Sequence, residues 1–157
     1  MRSQVRAQAE GLLRTAAPTS APGAAAAGAL VAIARLDLGK AWHGVHWLVC
    51  GAPEPDGSAA GGAVLGGVEV GQDLGYGAAR LLDPAAVARI ATALSVLDEA
   101  TLQARYDGAA MAGAGLYPGG FDDPSNWREE LVSHALAVRD LYAKAASNGQ
   151  AVLAYLT

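Results

Sequence analysis

At 157 residues, with 52% apolar and 17% charged side chains, the chain has the length of one globular domain. Its net charge of −4 and its 11 basic residues, spread without a run, leave no electrostatic footprint for nucleic acid. A single cysteine rules out an internal disulfide and fits a reducing cytoplasm. The longest apolar run, Ala24 to Ala34, falls short of the ~20 residues a bilayer span needs. No secretory apolar stretch follows Arg2 and Arg6 at the right distance.

Taken in order, residues 2–15 predict a weakly amphipathic helix with Val5, Ala9, Leu12 and Leu13 on one face. Arg2 and Arg6 near its start oppose the helix dipole. Thr15 to Gly23, with Pro18 and Pro22, reads as a linker. Ala24 to Arg35 then reads as a helix built mostly of Ala. Asp37 predicts the cap of a helix running to about Cys50. Trp42, Val45, His46 and Val49 recur on one face of that helix, and Gly51 with Pro53 ends it. Residues 52–63 form a loop by composition.

Val64 to Val70 has the composition of a short strand, weakened by Gly66-Gly67. Gly75-Tyr76-Gly77 marks a turn before a second strand ending near Leu82. Asp83-Pro84 predicts a helix start, with Val87, Ile90, Ala91, Leu94 and Leu97 as its apolar stripe. Asp98 caps a short helix burying Leu102 and Tyr106, and Met111 to Gly120 is irregular. Asp123-Pro124 opens a long helix to about Ser147, with Trp127, Leu131, Ala135, Val138, Tyr142 and Ala145 on its inner side. Asn148-Gly149 stops it, and Gln150 to Leu156 reads as a strand. Five or six helices with three short strands predict an α+β protein, a helix-rich single domain with a small sheet of short strands.

Chemistry concentrates in Leu36 to Gly51, which holds two of the three tryptophans, two of the three histidines and the cysteine. His43 and His46, three apart on a helix, resemble half of a metal site to which Asp37 or Glu69 would add oxygen. Two histidines are too few, so the expectation is no metal and no cofactor, with His43 on the surface and His46 packed inside. Replacing His43 with Ala should then change almost nothing. His46 is the candidate general base, oriented by Asp37 and met by Tyr117. No nucleophile motif accompanies it, and Cys50, late in an apolar helix, reads as an inert thiol. Gly71 to Gly77 lacks the spacing of a phosphate loop and reads as a turn. Arg80 is expected to pair with Asp83 or Glu69. Lys40, Trp42, Tyr76, Arg80 and Tyr117 are candidate binding residues, lining a cleft for a small polar ligand or a peptide.

Several blocks together carry a resemblance: Leu36-Asp37-Leu38-Gly39-Lys40-Ala41-Trp42-His43-Gly44-Val45-His46-Trp47-Leu48-Val49-Cys50-Gly51, then the stretch Leu74 to Val87 with its following helix. Leu116-Tyr117-Pro118-Gly119 and the closing helix with Ala151 to Leu156 follow in order. In these blocks the chain resembles the YfbM-like family, small bacterial domains of unknown function. The resemblance covers residues 35–157 and implies a compact α+β domain with no assigned activity. The pattern carries over to Asp37, Lys40, Trp42 and His46, but not to His43. Such proteins begin with a strand and a helix, and no opening strand is legible in Met1 to Ala34. The chain therefore divides into an Ala-rich helical segment with a Pro-containing linker, 1–34, and a YfbM-like domain, 35–157.

The functional expectation is a cytoplasmic, non-catalytic binding or interaction module, monomeric or weakly homodimeric. It has no nucleic-acid or membrane partner, and it meets another protein or a small polar ligand. One alternative is a small hydrolase or lyase-like enzyme using His46 with Asp37 and Tyr117. The other is a small-molecule sensor built on the aromatic cleft.

Overall fold

The computed structural model describes residues 11–16 and 32–157. Strands β1 (Gly11–Ala16) and β2 (Ala32–Asp37) lead through a 3-10 turn (Gly39–Ala41) into α1 (Trp42–Cys50). Next come α2 (Gly62–Leu65), β3 (Val68–Asp73), β4 (Ala78–Leu82), α3 (Pro84–Leu94), α4 (Glu99–Arg105) and α5 (Gly108–Gly113). The long α6 (Pro124–Ser147) and β5 (Ala151–Leu156) close an α+β fold. Among the described residues no helix is long and apolar enough to cross a membrane.

The aspartates begin helices because each supplies an acceptor to main-chain N–H groups that helix geometry leaves unpaired. Asp83 accepts from Ala86 N at 2.7 Å, Asp98 from Thr101 N at 2.7 Å and Asp123 from Ser125 N at 3.0 Å. Pro84 and Pro124 fill first-turn positions where no donor is required. The Thr101 and Ser125 bonds hold Asp98 and Asp123 below the usual carboxylate range. Asp107 caps α5 in the same way through Ala110 N at 2.9 Å, so part of the expected irregular stretch Met111 to Gly120 is helical.

The five strands form one antiparallel sheet in the order β2-β1-β5-β4-β3. Two expectations are overturned here. The helix over residues 2–15 gives way to strand β1 from Gly11 onward, and the Ala-rich helix up to Arg35 gives way to β2 from Ala32. Thr15 lies inside β1 rather than in a linker. The remainder of those expected elements, 2–10 and 17–31, lies outside the described residues. The physical reason is pairing. β1 is flanked by β2 and β5, which bond its backbone on both sides and outweigh a weak Ala-based helix preference. Among the described residues the sheet therefore has five strands instead of three, and the expected division between residues 34 and 35 falls within β2. The expected Val64–Val70 strand is also displaced. Gly62 to Leu65 is helical, and the chain extends only after Gly67, whose φ of 110° suits glycine.

Along β5, Val152 and Ala154 are buried while Leu153 and Tyr155 are half-buried, the alternation of a strand with one face on the core. The helices supply the other side of that core. α6 packs on α1, α3 and α4 through Leu131, Ala135, Val138, Tyr142 and Ala145, all buried. Inside, Tyr142 donates to the Ala63 carbonyl at 2.7 Å, and complete burial drives its hydroxyl far above its ordinary pKa. α1 and α6 approach closely at Gly44. A β-carbon there would stand 2.7 and 2.8 Å from the Leu131 methyls and 3.0 Å from Phe121 Cε1. Both neighbours are fully buried, so neither yields cheaply. Gly44→Ala should gain about 1 kcal/mol of helix propensity yet destabilise the protein by about 1–3 kcal/mol through overpacking. Urea unfolding would read the net sign.

Candidate functional site

The 3-10 turn sets the start of α1. Asp37 does not cap that helix as expected. Its Oδ1 accepts from Gly39 N at 2.9 Å and turns the chain out of β2, with Gly39 at φ 49°. Its other oxygen lies 3.6 Å from Arg35, an exposed pair worth little in water. Lys40 is exposed on this turn and Trp42 half-buried behind it.

The structure corrects the reading of His43 as an idle surface residue. Its ring stacks on Trp42 with centroids 4.6 Å apart and planes 3° from parallel. Its Nδ1 accepts from Tyr117 N at 3.1 Å, and its Nε2 lies 2.9 Å from the Pro53 carbonyl. A carbonyl only accepts, so Nε2 carries the hydrogen. One imidazole thereby ties α1 to the loop after it and to the loop before α6. Tyr117 also stacks against Trp42, its ring centroid 6.2 Å from the indole. Trp42 Nε1 is buried with no hydrogen-bond partner among the described residues.

His46, one turn on, faces inward and is fully buried. Its Nε2 lies 3.3 Å from Cys50 Sγ, and that thiol also reaches the Ala52 carbonyl at 3.4 Å. Burial holds the His46 pKa below its ordinary value, against the opposing pull of the Glu54 main chain. Burial likewise pushes the Cys50 thiol up, which keeps it protonated and unreactive. Arg105 closes the end of α1 by donating to the Leu48 and Val49 carbonyls, both at 3.0 Å. That bond joins residues more than fifty apart, and nothing in the sequence singled it out.

The buried His46 lacks the solvent access that the expected catalytic grouping with Asp37 and Tyr117 requires. Solvent does not reach the His46 ring, the Asp37 carboxylate serves Gly39 and Arg35, and the Tyr117 amide is bonded to His43. The five candidate binding residues also separate. Lys40, Trp42 and Tyr117 gather where β2 runs into α1, whereas Tyr76 and Arg80 belong to the β3–β4 hairpin. β1 and β5 lie between β2 and β4, about 14 Å at normal strand spacing. Among the described residues no three His, Cys, Asp or Glu side chains are grouped to hold a metal ion.

The hairpin is the second distinctive feature. Asp73 Oδ1 accepts from Gly75 N at 2.6 Å and Gly77 N at 3.0 Å, and Leu74 N bonds the Gly77 carbonyl at 3.0 Å. Gly75 and Gly77 take φ of 108° and 99°, as a tight turn requires. Arg80 donates to the Leu65 carbonyl and sits 3.6 Å from Glu69, so Glu69 is its partner, not Asp83. Every residue of β3 is exposed. Of the five exposed large apolar side chains among the described residues, four lie here: Val68 at 73%, Val70 at 36%, Leu74 at 49% and Tyr76 at 45%. Only Tyr76 of these was singled out from sequence. Val68, Val70 and Leu74 look like ordinary strand and turn residues until the sheet order shows them at an edge.

Two outcomes follow for the histidines. His43→Ala should cost about 1–3 kcal/mol, since it strips a donor and an acceptor from part-buried main-chain groups; thermal unfolding checks this. For His46 the unfolded chain binds a proton near the ordinary value of 6.5 while the buried ring resists it. The unfolded state then holds more protons, so stability falls as pH drops below about 6.5 and levels beneath the lowered native pKa. Denaturation of wild type and His46→Gln across this window should show the slope only in the wild type.

A family model described as a domain of unknown function, DUF1877, matches residues 19–155. No curated protein matches the chain. Among solved structures the fold is similar to that of YfbM from Escherichia coli, a protein of unknown function. The two share 16% identity at a TM-score of 0.66, covering 94% of this chain and 99% of that one. Identity this low speaks for the fold alone, and it agrees with the YfbM-like resemblance read from the sequence blocks. Through the family match, which spans most of its length, the chain belongs to the DUF1877 family.

Proposed function

We propose that this protein is a non-catalytic, cytoplasmic interaction module that meets another protein through its β3–β4 hairpin. The carrying observation is where apolar surface is left in water. Val68, Val70, Leu74 and Tyr76 are exposed within nine residues. Single exposed apolar side chains need no explanation, but a contiguous group is a recognition feature. Tyr76 adds a rigid ring with a polar end, the kind of side chain that anchors interfaces. The Asp73 carboxylate, bonded to two loop amides, holds the tip in one shape and limits the ordering cost of binding.

The burial of His46 supports the same reading, because a base that water cannot reach lends nothing to hydrolysis. Protein immobilised and exposed to extract of its host tests the proposal when wild type is compared with a Leu74→Ser, Tyr76→Ser double variant of equal thermal stability. Partners retained by the wild type should fall at least ~10-fold on the variant, about 1.4 kcal/mol of lost binding. Equal retention on both would exclude the hairpin as the contact surface.

A further inference from the structure

We infer that the outer edge of β3 receives an extended segment of a partner protein, added as a further strand and carrying alternating apolar and basic side chains. The inference rests on the proposed hairpin contact and specifies its chemistry. Among the described residues β3 is the last strand of the sheet and pairs only with β4. One side of its backbone is therefore open to strand addition.

Two features on this edge oppose indiscriminate pairing. The register with β4 shifts between Val70 and Asp73, and a bulge of this kind blunts an edge. Glu69 adds a charge. An edge designed only for protection would also replace its exposed valines with lysine or proline. Here Val68 and Val70 are retained, exposed, ahead of the irregularity. They lie two apart and so project to one face, while Glu69 projects to the other beside Arg80. An added strand would meet this alternation with apolar groups against the valines and its other side chains against Glu69.

Charge then selects the occupant. Between Val68 and Gly77 the chain has Glu69 and Asp73 and no basic residue. The nearest cation in the hairpin, Arg80, is occupied by the Leu65 carbonyl and Glu69. A basic strand complements this edge. A second copy of the chain does not, since it would bring the same acidic residues and another net charge of −4 to the contact.

Fluorescent hexapeptides of alternating Val-Lys, Gly-Lys and Val-Glu, titrated against the full-length protein, test this. The Val-Lys peptide should bind saturably, at least ~10-fold more tightly than Gly-Lys, with Val-Glu weakest. Val70→Lys should weaken the Val-Lys peptide by a similar factor, and Glu69→Lys should reverse the preference toward Val-Glu. Equal binding of Val-Lys and Gly-Lys, or no effect of Val70→Lys, reduces the event to bulk charge attraction and overturns the inference. So does sedimentation showing a dimer that Val70→Lys dissolves, because the occupant is then a second copy. If host proteins are still lost from the Leu74→Ser, Tyr76→Ser variant while Val-Lys shows no preference, strand addition fails and the hairpin contact stands. If the peptide preferences hold but that retention does not depend on the hairpin, the edge binds strands without being the physiological contact.

Discussion

Tyr142 donates its hydroxyl to the Ala63 carbonyl from within the buried stripe of α6, and the packing around it explains why this helix organises the fold. A phenol in an apolar interior must find an acceptor. Here the acceptor is the main chain of α2, a single turn whose Ala63 and Val64 are themselves buried in the core. The bond fixes α2 against α6, and α2 in turn packs on α1. Arg139 on the same helix donates to the Leu97 carbonyl at 2.9 Å and holds the chain between α3 and α4. α6 thus places three neighbours at once, and the sheet is roofed by helices whose positions follow from one stripe. Much of the chain is alanine and glycine and buries little area per residue. Directional bonds from the few large polar side chains therefore settle where short elements sit.

The same economy accounts for how much could be read in advance. The Asp-Pro starts, the stripe of α6 and the strand after Asn148-Gly149 were legible because each depends on neighbours within one or two turns of chain. β1 and β2 were not. Gly11-Leu12-Leu13-Arg14-Thr15-Ala16 and Ala32-Ile33-Ala34-Arg35-Leu36-Asp37 contain few β-branched residues, and β1 is held by partners on both sides, one of them at the far end of the sequence. His43 was misjudged for a related reason. Its partners are the Pro53 carbonyl and the Tyr117 amide, and main-chain groups leave no mark in residue identity. Packing of His46 was readable from helical spacing, but its bond to Cys50 needed coordinates.

The residues that looked most chemical are therefore the ones that brace the molecule. The His43 ring and the Cys50 thiol join α1 to its loops, while Val68, Val70, Leu74 and Tyr76 of the hairpin face water. The proposed interaction module rests on this division, with the tethered α1 on one flank of the sheet and the β3 edge on the other. The family match and the likeness to YfbM fix the architecture, and the proposed contact is placed on its exposed apolar hairpin rather than on the buried His46 and Cys50.

Cys50 gives this arrangement a built-in reporter. It is the sole sulfhydryl, sits at the last residue of α1, and is screened by the His46 ring and the Ala52 carbonyl. The residue is half-buried, and its contacts with His46 and Ala52 together with its raised pKa slow an alkylating reagent without shutting it out. Modification kinetics at one atom would thus report how firmly the last turn of α1 keeps those contacts closed.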